Sequence, residues 1–160
     1  MEEIVVGIGD IKCGAGRHSI VTYALGSCVG VCLYDEKQGI GGMLHALLPR
    51  SGNDMGMSGR ARYVDTGVKL LYQEMCHRGA SPNGMKAKVV GGARMFEYNT
   101  RSAEEDIGSA NVHQVRRELQ ALGVPIVREV TGGEVGRTIY FTPGTGDVRI
   151  VDTERKEKII

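Results

Sequence analysis

The stretch Thr22 to Asp35, TYALGSCVGVCLYD, holds two of the chain's four cysteines, Cys28 and Cys32, among small and apolar residues. A thiol in such a place can pack, bind a metal or attack an electrophilic carbon. Spacing argues against shared metal binding. The surrounding Val, Leu and Tyr favour a strand, in which Cα atoms four residues apart lie roughly 13 Å from each other, too far to ligate one ion. No CxxC pair occurs, and the neighbours Cys76 and His77 would leave a helix in different directions. No metal and no other cofactor is expected.

Nucleophilic chemistry needs a thiol where substrate can approach, a base to take its proton and a group to orient the base. Cys28 follows Gly26-Ser27, where the chain can turn sharply and aim the Cys28 N–H at a carbonyl oxygen, making Gly26 and Ser27 candidate oxyanion and substrate residues. His45, one of four histidines, lies in the apolar run LHALL and needs a polar partner if buried. A strand carrying Cys28 beside one carrying His45 would join thiol to imidazole, and Thr22 offers a hydroxyl or carbonyl oxygen to the other ring nitrogen. Packing accounts for the same residues: free cysteine is among the most buried types, and a lone histidine is commonly structural. Spacing alone leaves both readings open. Cys32 and Cys76 sit on apolar faces and read as core, whereas Cys13 lies on an expected loop with no base nearby.

The elements that would position these groups follow from pattern. Glu3 to Gly9, Ser19 to Leu25, Val29 to Tyr34 and Gly39 to Leu48 read as strands. A kink or bulge is expected at Gly26-Ser27, and the Gly41-Gly42 pair suits either a turn or a close approach of backbone. DIKCGAGRH reads as a loop, as does RSGNDMGMSGRA over 50–61, long enough for a functional lid. Tyr63 to His77 predicts a helix with Val64, Val68, Leu71 and Met75 on one face. Lys86 to Val90 predicts a strand, Ala110 to Leu122 a second amphipathic helix stopped by Gly123, and Val124 to Val130 another strand. Arg137 to Phe141 and Val148 to Val151 form an expected hairpin around PGTG. Two helices among some eight strands without regular alternation imply an α+β fold.

A chain of 160 residues with 41% hydrophobic content suits one domain, taken as 1–153 with a solvated tail over 154–160. The formal charge of +1 is mixed along the chain, aromatics are 5% and Trp is absent, which argues against a nucleic-acid partner. GIGDIK and GAGRHS each lack the third glycine of a dinucleotide fingerprint, and no GK[ST] occurs. The acidic start MEEIVVGIGD and the lack of a long apolar run imply a cytoplasmic protein without membrane insertion.

In order along the chain, LGSCVGVCLYD, GGMLHALLP, the loop beginning RSG, VVGGARMFE and VTGGEVGRTIYF resemble the CheD family, chemoreceptor glutamine deamidases of bacterial and archaeal chemotaxis, from Val5 to Val151. The resemblance implies a cysteine amide hydrolase that converts receptor glutamines to glutamates through a thioester. It implies Cys28 as nucleophile, His45 as its partner and Thr22 as the orienting residue. The implied fold is α+β, with packed, sandwich-like β-sheets flanked by helices as in the cytotoxic necrotizing factor-like cysteine deamidases. Implied partners are the cytoplasmic domains of chemoreceptors and a CheC-type phosphatase. The alternative is a non-catalytic regulatory module for such a phosphatase, docking through GGARMFE with Met95 and Phe96 as contacts. Hydrolysis of methyl esters or of another amide would use the same residues.

Overall fold

The computed structural model describes residues 3–52, 57–95 and 106–160. Among these, two five-stranded sheets are built from β1 (Glu3–Val5), β2 (Asp10–Ala15), β3 (Ser19–Leu25), β4 (Val29–Asp35), β5 (Ile40–Ala46), β6 (Lys86–Gly91), β7 (Ile126–Thr131), β8 (Arg137–Phe141), β9 (Val148–Asp152) and β10 (Glu157–Ile159). The first sheet has the order β1-β3-β8-β9-β10 and the second β2-β5-β4-β6-β7. Both are mixed: β1 runs parallel to β3 and β6 parallel to β7, the other pairs antiparallel. Helices α1 (Val64–His77) and α2 (Ile107–Leu122) complete an α+β fold. Neither helix is long and apolar enough to cross a membrane.

Strand β4 explains the layering. All seven of its residues are buried, because its two faces meet different layers. Val29, Val31 and Leu33 pack with Leu44 and Ala46 against Val68, Leu71, Met75, Val115 and Leu119 of the helices. Cys32 and Tyr34 face the first sheet, packing with Ile20, Leu25, Met43, Ile139 and Phe141. The second sheet is therefore the middle layer, and any β4 residue in phase with Cys32 points into the space between sheets.

Helix α1 forms where the apolar spacing predicts it. Its chain reverses at Gly79, whose φ of 103° suits glycine, while the Ala80 N–H donates to the Met75 carbonyl at 3.0 Å. Helix α2 begins three residues before the expected Ala110. Asp106 is its N-cap, its carboxylate accepting from the Ser109 N–H at 3.3 Å.

Other differences have physical causes. DIKCGAGRH is not all loop: β2 is an edge strand paired with β5, and its weak β propensity is offset by a ladder running from Asp10 opposite His45 to Ala15 opposite Ile40. The Gly41-Gly42 pair serves close approach rather than a turn. A Cβ on Gly41 would lie 2.8 Å from Phe141 Cζ, and one on Gly42 would lie 2.8 Å from Leu71 Cδ1, so both layers press onto β5 there. Within 50–61, residues 53–56 lie outside the described residues, and a 3₁₀ turn spans Met57–Arg62. The tail is not simply solvated. Glu157–Ile159 pairs with β9, and backbone bonds between Ile160 and Val148 in both directions seat the Ile160 side chain in the inter-sheet core. The polar ERKEK run hides this because its side chains are indeed exposed.

Candidate active site between the sheets

Thr22 is carried by β3 in the first sheet and points inward in phase with Ile20, and a bulge follows it. Thr22 pairs with Ile139 and Leu25 with Arg137, so β3 has one residue more than β8 over that span. Ala24 absorbs it with a φ of 55°, and its N–H donates to Thr138 Oγ1 at 3.2 Å. Thr22 and Leu25, three apart in sequence, are thereby both buried in the core. The expected kink thus includes a bulge before Gly26.

After Leu25 the chain crosses from one sheet to the other through Gly26, Ser27 and Cys28. The three carbonyls of this crossing each accept a hydrogen bond: Gly26 from the Ala93 N–H at 2.9 Å, Ser27 from Asn111 Nδ2 at 2.9 Å and Cys28 from the Gly92 N–H at 2.9 Å. Gly91 and Gly92, at φ 114° and 65°, allow the end of β6 to come this close. A Cβ on Gly91 would collide with the Cys28 carbonyl oxygen, and one on Gly92 with Val112 Cγ2. The Cys28 N–H, in contrast, donates to no other residue among those described and lies beside its own thiol.

His45 on β5 is directly opposite Gly30 on β4. Cys28, two residues before Gly30, belongs to the inter-sheet core with Cys32, so it shares a face with His45 as a diagonal neighbour. Diagonal positions lie roughly 7–8 Å apart at Cα, a span that cysteine and histidine side chains can bridge. Gly30 between them carries no side chain of its own, and Ile139 and Leu25 of the first sheet pack over it, a Cβ there lying 2.8 Å from Ile139 Cδ1.

The Thr22 hydroxyl bonds to the Val6 carbonyl at 2.7 Å and to His45 Nδ1 at 2.7 Å. A hydroxyl has one proton. Donated to Val6, it leaves the Thr22 oxygen to accept from Nδ1–H, which makes Nε2 the lone-pair nitrogen. His45 is almost fully buried, and Nε2 has no partner among the described residues. Burial lowers the imidazole pKa to about 4. Burial also raises the Cys28 thiol, partly offset by its own backbone N–H. Near neutral pH the resting groups are therefore an uncharged thiol and an uncharged imidazole with its basic nitrogen free.

Of the other residues named from sequence, Cys32 is fully buried with its thiol strongly raised by desolvation, whereas Cys76 is only half-buried. Cys13 sits on β2 rather than a loop and is partly covered, which raises its thiol to about 11. Met95 is 42% exposed and not core, lying over the Gly26–Cys28 crossing so that a Cβ on Gly26 would be 2.9 Å from Met95 Cγ. Phe96 lies outside the described residues. Sequence reasoning misses Asn111. Its one signal is an amide beside the apolar stripe of Val112, Val115 and Leu119, where a polar side chain needs partners of its own. Among the described residues, no three His, Cys, Asp or Glu side chains converge as metal ligands would.

Comparison with known proteins finds relatives of the whole chain. A family model described as CheD chemotactic sensory transduction matches residues 47–152, beginning two residues after His45. A probable chemoreceptor glutamine deamidase CheD of Pyrococcus horikoshii is 50% identical over 94% of this chain and 92% of its own length. One of Desulfitobacterium hafniense is 40% identical over 98% of each chain. Among solved structures, the Bacillus licheniformis hypothetical protein YfiH matches 72% of this chain and 47% of its own, at 15% identity and a TM-score of 0.43. With the family model spanning well over half of it and relatives matching nearly end to end, the chain belongs to the CheD family.

Proposed function

We propose that this protein deamidates glutamine side chains in the cytoplasmic domains of chemoreceptors, with Cys28 as nucleophile, His45 as base and acid, and Thr22 as the residue that orients the imidazole. The observation that carries the reading is the Val6–Thr22–His45 relay, which leaves an unpartnered Nε2 on the face shared with Cys28. The relatives' names supply the substrate class.

Because burial opposes both a resting thiolate and a resting imidazolium, proton transfer and attack are coupled. As Cys28 Sγ bonds to the glutamine Cδ, its proton passes to His45 Nε2 and the carbonyl π pair moves onto oxygen. The Cys28 N–H, free of other acceptors, is placed to hold that oxyanion. Collapse re-forms the carbonyl and breaks the C–N bond, while His45 returns its proton to the departing ammonia. Water then gives a proton to Nε2 and attacks the thioester. The second collapse expels Cys28 sulfur, which regains the proton and leaves glutamate. Thr22 keeps Nδ1–H occupied throughout, so one tautomer serves both half-reactions.

The test is incubation with purified receptor cytoplasmic fragments and peptide mass mapping for the amide-to-acid shift. Thr22→Val, nearly isosteric, is expected to lower turnover about 10- to 100-fold by freeing the ring. It also orphans Nδ1–H and the Val6 carbonyl, which should cost about 2 kcal/mol in urea unfolding. Wild-type turnover in this variant would remove Thr22 from the site. Cys32→Ala is the internal control, expected to keep wild-type turnover with a stability loss of about 1 kcal/mol from the small cavity.

A second role, docking of a CheC-type phosphatase, is favoured by Met95, exposed and lying against Gly26. A partner bound there would cover the approach to Cys28, so the two roles are compatible and mutually exclusive in time.

A further inference from the structure

Asn111 is a polar side chain with no exposure, on a helix that carries none of the three reacting or orienting groups. Its Nδ2 donates to the Ser27 carbonyl at 2.9 Å and to the Leu47 carbonyl at 3.1 Å. Both amide hydrogens are thus engaged. The opposite amide orientation would set Oδ1 against two carbonyl oxygens, so the assignment follows from the bonding. Oδ1 itself is buried with no partner among the described residues. Among the described residues, these two donations are the polar contacts of this side chain.

The two acceptors belong to different parts of the site. Leu47 is two residues beyond His45 and next in register after the Val29–Ala46 pair. Ser27 contributes its carbonyl to the peptide whose N–H is that of Cys28. A trans peptide is planar, with C=O and N–H on opposite sides, so anchoring the Ser27 oxygen on the helix side fixes the direction of the Cys28 N–H toward the thiol side. The same amide ties this peptide to the strand end that bears the imidazole.

We propose that Asn111 is a positioning residue of the active site: its amide orients the Ser27–Cys28 peptide, and with it the oxyanion donor, and fixes that peptide against the chain that carries His45. The proposal rests on the deamidase reading above, and it predicts an effect on the chemical step rather than on substrate affinity. It also predicts an effect on the thiol without substrate, since the same N–H lies beside the Cys28 sulfur.

Four variants of the full chain, Asn111→Ala, Asn111→Ser, Gln114→Ala and Cys28→Ala, are to be compared with wild type at a temperature where thermal melts show each folded. Gln114, on the same helix, bonds Arg50 and Glu118 instead and controls for loosening of α2. Asn111→Ala is expected to lower kcat about 100-fold, the scale of losing one oxyanion donor, with KM nearly unchanged. Asn111→Ser, which can keep one donor, should fall between it and wild type, and Gln114→Ala should match wild type. In parallel, iodoacetamide labelling of Cys28 across pH should shift to higher pH in Asn111→Ala and not in Gln114→Ala. The inference is overturned if Asn111→Ala keeps wild-type kcat, if its loss is matched by Gln114→Ala, if the labelling profile does not move, or if even Asn111→Ser cannot fold. Failure of the deamidase reading is separate: wild type would then convert no receptor glutamine, or Cys28→Ala would convert it equally, while the labelling profile still tests whether Asn111 positions the thiol.

Discussion

Replacing Cys28 by alanine is expected to lower conversion of receptor glutamine to glutamate by about 10⁴-fold or more, with the fold preserved. The size follows from the mechanism, because without sulfur no thioester forms and water would have to attack a neutral amide directly. Preservation of the fold follows from how the Gly26–Cys28 crossing is held. The bonds that seat it fall on the carbonyls of Gly26, Ser27 and Cys28, none of which the substitution touches. One sulfur is lost from the rim of the inter-sheet core, where Cys28 is 8% exposed, at a cost on the order of 1 kcal/mol. Mass mapping of the receptor peptide beside a thermal melt reads both halves. Residual turnover near the wild-type rate in the alanine chain would remove Cys28 as nucleophile.

His45→Gln is the second large effect, because in the proposed mechanism His45 moves the protons at Cys28. Turnover should again fall by about 10⁴-fold, and the double variant with Cys28→Ala should be no worse than either alone, since the two act as a unit. The same substitution changes how stability depends on acidity. In the unfolded chain His45 takes a proton at its ordinary value of 6.5, and in the folded protein only at about 4. Above the first value both states are neutral there and nothing is lost. As pH falls between the two, the unfolded chain gains a proton that the folded protein refuses, and stability drops. Below about 4 the loss is complete, and it totals about 3 kcal/mol. Urea unfolding at pH 7 and near pH 4 should show this difference in wild type and a smaller one in His45→Gln. Equal acid sensitivity of the two would show that His45 is not held neutral by burial.

Strands whose side chains alternate between two apolar layers were the easiest to read. In β4 every residue meets one layer or the other, and α1 repeats Val and Leu at helical spacing, so local pattern and tertiary demand agree. β2 was hidden because its place depends on a partner, β5, rather than on its own residue types. The same division runs through the site. A cysteine after Gly26-Ser27 and a histidine in an apolar run carry their own chemical signal, as does a threonine ready to orient a ring. Asn111 does not, because its acceptors lie 84 and 64 residues away and no periodicity brings such distant backbone carbonyls to mind. The bulge at Ala24 was likewise out of reach, since an extra residue in one strand is visible only against the strand it pairs with.

The bond between Thr22 and His45 joins a strand of one sheet to a strand of the other. The apolar attraction between the layers has no preferred direction of its own, and their register rests on how the side chains interlock. A hydrogen bond is directional, and a slip of one residue, about 3.3 Å, would break it. The orienting contact therefore also acts as a locating pin between the two layers, and the imidazole has its working tautomer only when the sheets are seated in one relative position. In the proposed mechanism, catalytic competence and correct sandwich assembly are in this way linked.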